Sequence, residues 1–157
     1  MKYFEDLAIG DTDEIGFFTF SADNIKRFAR DYDPQRFHVD EAAAEASLYG
    51  GLIASGWQVA AVWMKLLVAH QEMEVARAQL LGKPVVKLGP SPGFRNMAWA
   101  KPVRPGDTLR YSVEIAAKKE SASRPEWGIV SMLSSAMNQH GEQAFKFDGV
   151  VFWERRG

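Results

Sequence analysis

The sequence contains no cysteine among its 157 residues and only three histidines, His38, His70 and His140. Without cysteine, the protein forms no disulfide, holds no thiolate-ligated iron–sulfur cluster and has no cysteine nucleophile. The histidines are too few and too far apart along the chain to predict a histidine-rich metal site. We therefore expect neither a metal nor a cofactor.

An excess of charge of one sign is also missing. The 19 Lys and Arg residues nearly balance the 20 Asp and Glu residues, and the formal net charge is −1. Domains that bind nucleic acid nonspecifically are usually basic, with a pI above about 9. The composition therefore predicts no nucleic-acid partner.

Long apolar runs are absent as well. The most apolar stretch, 59–68, is interrupted by Lys65 and is too short to cross a bilayer. The first six residues end in two acids and lack the apolar core of a signal peptide. We expect a soluble, cytoplasmic protein that binds no membrane. No repeat, low-complexity tract or linker divides the chain, so residues 1–157 are predicted to form one domain.

The first half of the chain contains a strand followed by helices. Aromatic and β-branched residues predict a strand at 13–20. Ser21 is a typical N-cap for a helix at 22–30. Pro34 ends that helix, because the residue before a proline avoids the helical conformation. A second, short helix is predicted at about 40–47.

A very apolar helix is predicted at 55–72. Its polar residues Gln58, Lys65 and Glu72 recur every seven positions and form one narrow stripe, and almost everything else in the segment is apolar. A helix that is apolar almost all round is normally buried. We therefore predict a long central helix that is covered on nearly every side.

Strand patterns dominate the second half. Short strands are predicted near 85–88 and 94–100, and three longer ones follow at 109–115, 129–137 and 145–154, the last two joined by a hairpin turn. The order of a strand, then helices, then antiparallel strands predicts an α+β protein. Its curved antiparallel sheet is expected to wrap around the long buried helix, which is the hotdog fold.

One cluster carries groups suited to acid–base chemistry. Asp31, Asp33 and His38 lie within eight residues, just after a predicted helix end and around the turn at Pro34. A carboxylate and an imidazole that meet across a turn can accept and donate protons near neutral pH. The alternative interpretation is structural, with Asp33 starting an Asp-Pro turn and Asp31 solvated at the helix end.

The start of the long helix is a second candidate. Ser55 is placed to cap the helix, and the N–H groups of its first turn have no partner within the helix and carry partial positive charge. The N–H of Gly56 is therefore suited to bind a carbonyl oxygen that gains charge during a reaction. Trp57 lies beside it. The structural alternative is that Ser55 only caps the helix and Gly56 only permits close packing.

Three blocks of this sequence resemble the MaoC-like dehydratases, the family of the (R)-specific enoyl-CoA hydratases. They are Phe28–Ala43, Gly50–Trp57 and Arg104–Leu109, and they occur in the family's order. The resemblance implies a hotdog homodimer that hydrates a trans-2-enoyl thioester, most simply an acyl-CoA, or dehydrates the (R)-3-hydroxyacyl thioester. It also implies that His38 is the catalytic histidine and Gly56 the glycine that holds the thioester carbonyl. Ser55 and Trp57 are then expected to bind substrate.

The block around Pro34 departs from the family pattern Asp-x-Asn-Pro-x-His, because two additional residues separate Pro34 from His38. Alignment on the proline makes Asp31 the catalytic carboxylate, whereas alignment on the spacing to histidine makes it Asp33. We favour Asp31, because the proline fixes the turn and the segment after it can bulge.

Two other functions fit the same fold. A hotdog thioesterase would need a carboxylate on the central helix, where the only acids are Glu72 and Glu74 near its end. A non-catalytic subunit that binds an acyl thioester or pairs with an active partner would explain the two additional residues before His38.

Overall fold

The computed structural model describes residues 2–156; Met1 and Gly157, the outermost residues of the predicted domain, lie outside the described part. A 3₁₀ turn at Phe4–Asp6 precedes the first strand, and four helices and four further strands follow. The helices are α1 (Ala22–Tyr32), α2 (Arg36–Val39), α3 (Glu41–Glu45) and α4 (Gly56–Leu80). The strands are β1 (Thr12–Thr19), β2 (Gly93–Trp99), β3 (Thr108–Glu120), β4 (Trp127–Met137) and β5 (Gln143–Glu154).

The five strands form one antiparallel sheet in the order β1-β3-β4-β5-β2. The first half of α4 packs on one face of this sheet, where Val59 and Trp63 join a buried cluster with Tyr111 and Phe145. The Tyr111 hydroxyl donates a hydrogen bond to the Val59 carbonyl (3.2 Å) and so ties the sheet to the helix. The predicted α+β class and the hotdog arrangement of sheet and central helix are confirmed.

Local patterns located most elements to within a few residues. Ser21 caps α1 by accepting a hydrogen bond from the Asn24 N–H, and α1 ends at Tyr32, just before the turn at Pro34. The strand predicted near 85–88 is only an isolated bridge between Leu88 and Trp153. The single-turn helix α2 has no counterpart in the predicted elements, because one turn is too short to show a hydrophobic period.

The prediction that α4 is covered on nearly every side is wrong for the single chain. Gln58, assigned to the polar stripe, is buried, and its amide donates to the Asn24 carbonyl (3.1 Å). The apolar side chains of Trp57, Met64 and Val68 are exposed along one edge of the helix, because the sheet does not extend far enough to cover them. We call these three residues the open face of α4. No helix within residues 2–156 is both long and apolar enough to cross a membrane.

Candidate active site

The turn after α1 positions the first reactive group. Asp33 follows the last residue of α1, and its N–H donates to the Ala29 carbonyl (2.9 Å) as a helix C-cap. Pro34 cannot continue the helix, and the Gln35 N–H closes a tight turn on the Asp33 carbonyl (2.8 Å). The carboxylate of Asp33 is thereby held in a largely buried position at the end of α1.

The one-turn helix α2 positions the second group. His38 is only 4% exposed, and its Nδ1 lies 2.8 Å from the Ile53 carbonyl oxygen. A carbonyl oxygen only accepts hydrogen bonds, so Nδ1 must carry the hydrogen. The ring therefore turns its other nitrogen, Nε2, toward the Asp33 carboxylate, with 3.3 Å between Nε2 and Oδ2.

Ser55 joins this pair to the start of α4. Its hydroxyl donates to Asp33 Oδ2 (2.6 Å) and accepts a hydrogen bond from the Trp57 N–H (3.2 Å) as the N-cap of the helix. The side chain is fully buried. Because its hydroxyl already has these two partners, Ser55 is a positioning residue for the carboxylate in this structure.

The surroundings of Asp33 favour its charged form. Burial raises the pKa of Asp33, but the hydrogen bonds from Ser55 and Gln35 and the nearby His38 outweigh that effect, and the pKa lies below its ordinary value. Gln35 Nε2 donates to Oδ1 (2.8 Å), so both carboxylate oxygens have a donor. Asp33 is therefore a carboxylate at neutral pH.

Gly56 begins α4, and its N–H has no acceptor among residues 2–156. At the start of a 25-residue helix this N–H lies in the positive end of the helix dipole. The indole of Trp99 lies directly against the glycine, because a Cβ added there would come within 2.6 Å of the ring. Trp99 Nε1 also donates to the Gly56 carbonyl (2.9 Å).

The structure brings Asp33, and not the favoured Asp31, to His38. Asp31 is exposed on the last turn of α1, and its side chain forms no hydrogen bond or ion pair within the described chain. It borders a separate, smaller pocket beside Arg27 and Lys65. The physical reason is that α2 coils the two additional residues into one helical turn, which returns His38 to the carboxylate directly before the proline.

A cavity of about 730 Å³ reaches the first turn of α4 at Trp57, whereas Asp33, His38 and Gly56 are not among its lining residues. Trp57 forms part of its wall, and the cavity continues between α4 and the concave face of the sheet past Met64 and Leu67 on one side and Phe147 and Val151 on the other. Its lining is mostly apolar, as in ordinary small-molecule sites. The sequence patterns gave no indication of this cavity, because it forms between segments that are far apart in the chain.

Three positions that shape the cluster are absent from the predicted site. They are Gln35, which binds the carboxylate, Ile53, whose carbonyl orients the histidine ring, and Trp99, which packs on Gly56. Gln35 lies in the same block as Asp33 and His38 and was open to recognition there. The role of Ile53 could not be predicted, because every residue type has a backbone carbonyl. The contact of Trp99 with Gly56 could not be predicted either, because the two residues are 43 positions apart in the chain.

No three His, Asp or Glu side chains within residues 2–156 are grouped so as to hold a metal ion. The arrangement therefore consists of a carboxylate, an imidazole and a free backbone N–H at the start of a central helix. It defines a hotdog protein with an acid–base pair at the start of its central helix.

Known proteins share this architecture. A family model described as the MaoC-like domain matches residues 12–137, and the chain belongs to that family. The uncharacterized protein YdeM of Bacillus subtilis (strain 168) is 32% identical over 151 residues, which cover 96% of this chain and 98% of YdeM.

Two solved structures extend the comparison. The MaoC-like dehydratase from Rhodospirillum rubrum is 35% identical, with a TM-score of 0.81 over 100% of this chain and 99% of that one. The (R)-hydratase from A. caviae involved in PHA biosynthesis has a TM-score of 0.64 over 94% of this chain and 97% of its own. At 22% identity, the second likeness supports the fold alone.

Proposed function

We propose that this protein is an (R)-specific enoyl-thioester hydratase, or in reverse a 3-hydroxyacyl-thioester dehydratase, that acts on acyl-CoA in the cytoplasm. The observation that carries the proposal is the contact of Asp33 Oδ2 with both His38 Nε2 (3.3 Å) and Ser55 Oγ (2.6 Å) at the start of α4. This contact joins an acid–base pair to the segment that carries the free N–H of Gly56, and a cavity suited to an acyl chain is lined by the next residue, Trp57.

In the proposed reaction the thioester carbonyl accepts a hydrogen bond from the Gly56 N–H. The negative charge that forms on this oxygen as the enolate develops is stabilised by the N–H and by the helix dipole. Hydrogen-bond donors fixed in this way need no reorganisation during the reaction. A substrate bound so would extend its acyl chain past Trp57 into the cavity.

Asp33 and His38 share the attacking water. The Asp33 carboxylate takes one proton from the water, and the water oxygen forms a bond to C3 of the enoyl thioester. The protonated His38 ring gives its Nε2 proton to C2, which completes the 3-hydroxyacyl thioester. The proton on Asp33 then passes to Nε2 across the 3.3 Å gap and restores the pair.

The test is turnover of a panel of trans-2-enoyl-CoAs, followed by the loss of absorbance of the conjugated thioester. We expect hydration by the wild type and loss of nearly all of it in His38→Ala. His140→Ala, which changes an exposed histidine in the hairpin between β4 and β5, is the matched control and should stay active. Equal rates in wild type and His38→Ala would contradict the role of His38.

The same assay separates the two alternative functions. Glu72 and Glu74 lie four to five turns beyond Gly56, roughly 24–27 Å along the helix, so a thioesterase carboxylate on α4 would act far from the Asp33–His38 pair. Release of free thiol from acyl-CoA would nevertheless support it. Saturable binding of acyl-CoA without turnover would support the non-catalytic subunit instead.

We further propose that a second copy of the chain covers the open face of α4. The edge strand β2 pairs only with β5, and its side chains Phe94 and Trp99 are exposed. Uncovered apolar side chains next to a free strand edge are typical of an interface. Light scattering should give the mass of a homodimer, and a monomer at all concentrations would contradict this assembly.

A further inference from the structure

The indole of Trp99, the last residue of β2, is held in one orientation by two other rings. It stacks on the fully buried Phe145 ring of β5, with 6.2 Å between centroids, and meets the Trp57 ring edge-on at 5.5 Å. From this position its Nε1 donates to the Gly56 carbonyl (2.9 Å). The edge strand of the sheet thereby places a hydrogen-bond donor at the start of α4.

This hydrogen bond fixes one peptide group of α4 from outside the helix. The Gly56 carbonyl and the Trp57 N–H belong to the same planar peptide group. Its oxygen is bound by Trp99 Nε1, and its N–H is bound by Ser55 Oγ (3.2 Å). The Trp99 ring also occupies the place of a Cβ at Gly56, so it restricts a backbone that would otherwise be unusually free. Gly56, whose own N–H is unpaired within the described chain, is therefore held on both sides.

The same peptide group begins a chain of hydrogen bonds that ends at the acid–base pair. Ser55 accepts from the Trp57 N–H and donates to Asp33 Oδ2 (2.6 Å). That carboxylate oxygen lies 3.3 Å from Nε2 of His38. Hydrogen bonds in such a chain polarise and strengthen one another, because a group that accepts a bond becomes a better donor. Loss of the indole N–H of Trp99 would therefore weaken the bond that Ser55 donates to Asp33.

We propose that Trp99 is a positioning residue for hydration, which acts through the peptide group between Gly56 and Trp57. On one side, this peptide group holds the Gly56 N–H toward the thioester carbonyl. On the other side, it orients the Asp33 carboxylate toward the water through Ser55. The inference rests on the proposed function, because it assigns Trp99 a role in that reaction.

The experiment compares Trp99→Phe, which keeps an aromatic ring but has no N–H, with the wild type over the pH range of hydration. We expect kcat to fall by about two- to tenfold, the effect of one hydrogen bond. KM should change much less, because the carbonyl oxygen gains its charge in the transition state. The pKa of Asp33 should rise, because the bond from Ser55 that lowers it becomes weaker. The acid limb of the kcat/KM profile should therefore move to higher pH.

A second background isolates the chain of hydrogen bonds. Ser55→Ala lacks the hydroxyl that links Trp57 to Asp33. In this background Trp99→Phe should still lower kcat, but it should not move the acid limb any further. An equal shift in both backgrounds, or no shift in either, would overturn the inference. A fall in kcat without any shift would overturn it as well, because a ring that only packs on the glycine does not act on Asp33.

Titration of Asp33 without substrate separates this inference from the proposed function. NMR of the carboxyl carbons should give a higher pKa for Asp33 in Trp99→Phe than in the wild type, even if no enoyl-CoA is hydrated. Trp153→Phe is the matched control, because it removes an indole N–H that donates to the Lys2 carbonyl at the same distance (2.9 Å). It should leave the titration unchanged. An unchanged titration in Trp99→Phe would overturn the inference, and the turnover assay alone would then decide the proposed function.

The fold and the assembly of each variant also need to be compared, because Trp99 lies on the free edge of the sheet. Thermal unfolding checks the fold, and light scattering checks the mass. Where Trp99→Phe is not folded, Trp99→Tyr replaces it, since the phenol ring is larger and likewise has no indole N–H. Where the mass differs from that of the wild type, the titration of Asp33 decides.

Discussion

Buried polar atoms are hydrogen-bonded within the protein at the start of α4, but two buried polar atoms further along the molecule are not. At the helix start, both oxygens of Asp33, the Ser55 hydroxyl and Nδ1 of His38 all have partners within the protein. Nε1 of Trp63, two turns further along α4, and Oγ of Ser134 on β4 have no hydrogen-bond partner within residues 2–156. The paired cluster fixes the geometry of Asp33, whereas Trp63 Nε1 and Ser134 Oγ hold no neighbour in place through a hydrogen bond within the described chain.

The largest expected effect comes from removing the charge at the centre of the paired cluster. We expect Asp33→Asn to lower kcat/KM for enoyl-CoA hydration by roughly 10²- to 10⁴-fold, because the amide cannot accept the proton of the water. Asp31→Asn is the matched control, and it should change the rate little because Asp31 is exposed and away from His38. The reverse result would assign the base to Asp31.

The next effect comes from crowding the helix start. In Gly56→Ala the new methyl group would lie within 2.6 Å of the Trp99 ring, so we expect a loss of about 1–3 kcal/mol in the free energy of unfolding. Urea denaturation measures this loss. Combining the change with Trp99→Ala should recover part of it, since the obstructing ring is gone. Strict additivity of the two substitutions would show that the ring and the glycine are not in contact.

Ser55→Ala removes one bond from the paired cluster together with the cap of α4. We expect a loss of about 0.5–2 kcal/mol at neutral pH, typical of a helix cap. The pKa of Asp33 should rise toward its ordinary value, because the hydrogen bond from Ser55 lowers it. The acid limb of the kcat/KM profile should therefore move to higher pH.

The control for this change is Ser21→Ala, which removes the cap of α1 without touching an acid. A carboxylate with a depressed pKa stabilises the fold above its unfolded pKa, and that contribution is lost as the pH falls through the folded pKa. The Ser55 variant should therefore lose less stability in acid than at neutral pH. We expect Ser21→Ala to lose the same stability at both pH values. The same result for Ser55→Ala would show that Ser55 does not lower the pKa of Asp33.

The smallest effect is expected at Ser134. Ser134→Ala breaks no hydrogen bond within the described chain, so unfolding should change by less than about 0.5 kcal/mol or shift toward higher stability. Thermal unfolding without ligand measures it. A loss as large as that of Ser55→Ala would mean that Ser134 has a structural partner, and the contrast between the two regions would fail.

Features set by near neighbours in the chain could be predicted from the sequence. Ser21 and Ser55 cap their helices and Pro34 follows the end of α1, because each of these effects acts within a few residues. The pattern of alternating residues likewise located β3 and β5. The candidate site was recognisable as a set, since Asp33, His38 and Gly56 all belong to short motifs.

Features set by distant neighbours could not be predicted in this way. The choice between Asp31 and Asp33 depends on how α2 coils, and a four-residue helix has no period to detect. The contact of Trp99 with Gly56 joins β2 to α4 and depends on the whole sheet. The exposure of Met64 and Val68 depends on what the single sheet leaves uncovered.

The single turn of α2 has a consequence for how such sites vary among proteins. Two residues added to a helical turn lengthen the path by only about 3 Å, whereas in an extended segment they would add roughly 7 Å. Insertion between an acid and its partner histidine can therefore be absorbed by winding the chain, without displacing either group. A search pattern that fixes the number of residues between proline and histidine would reject this chain although its acid and base still meet.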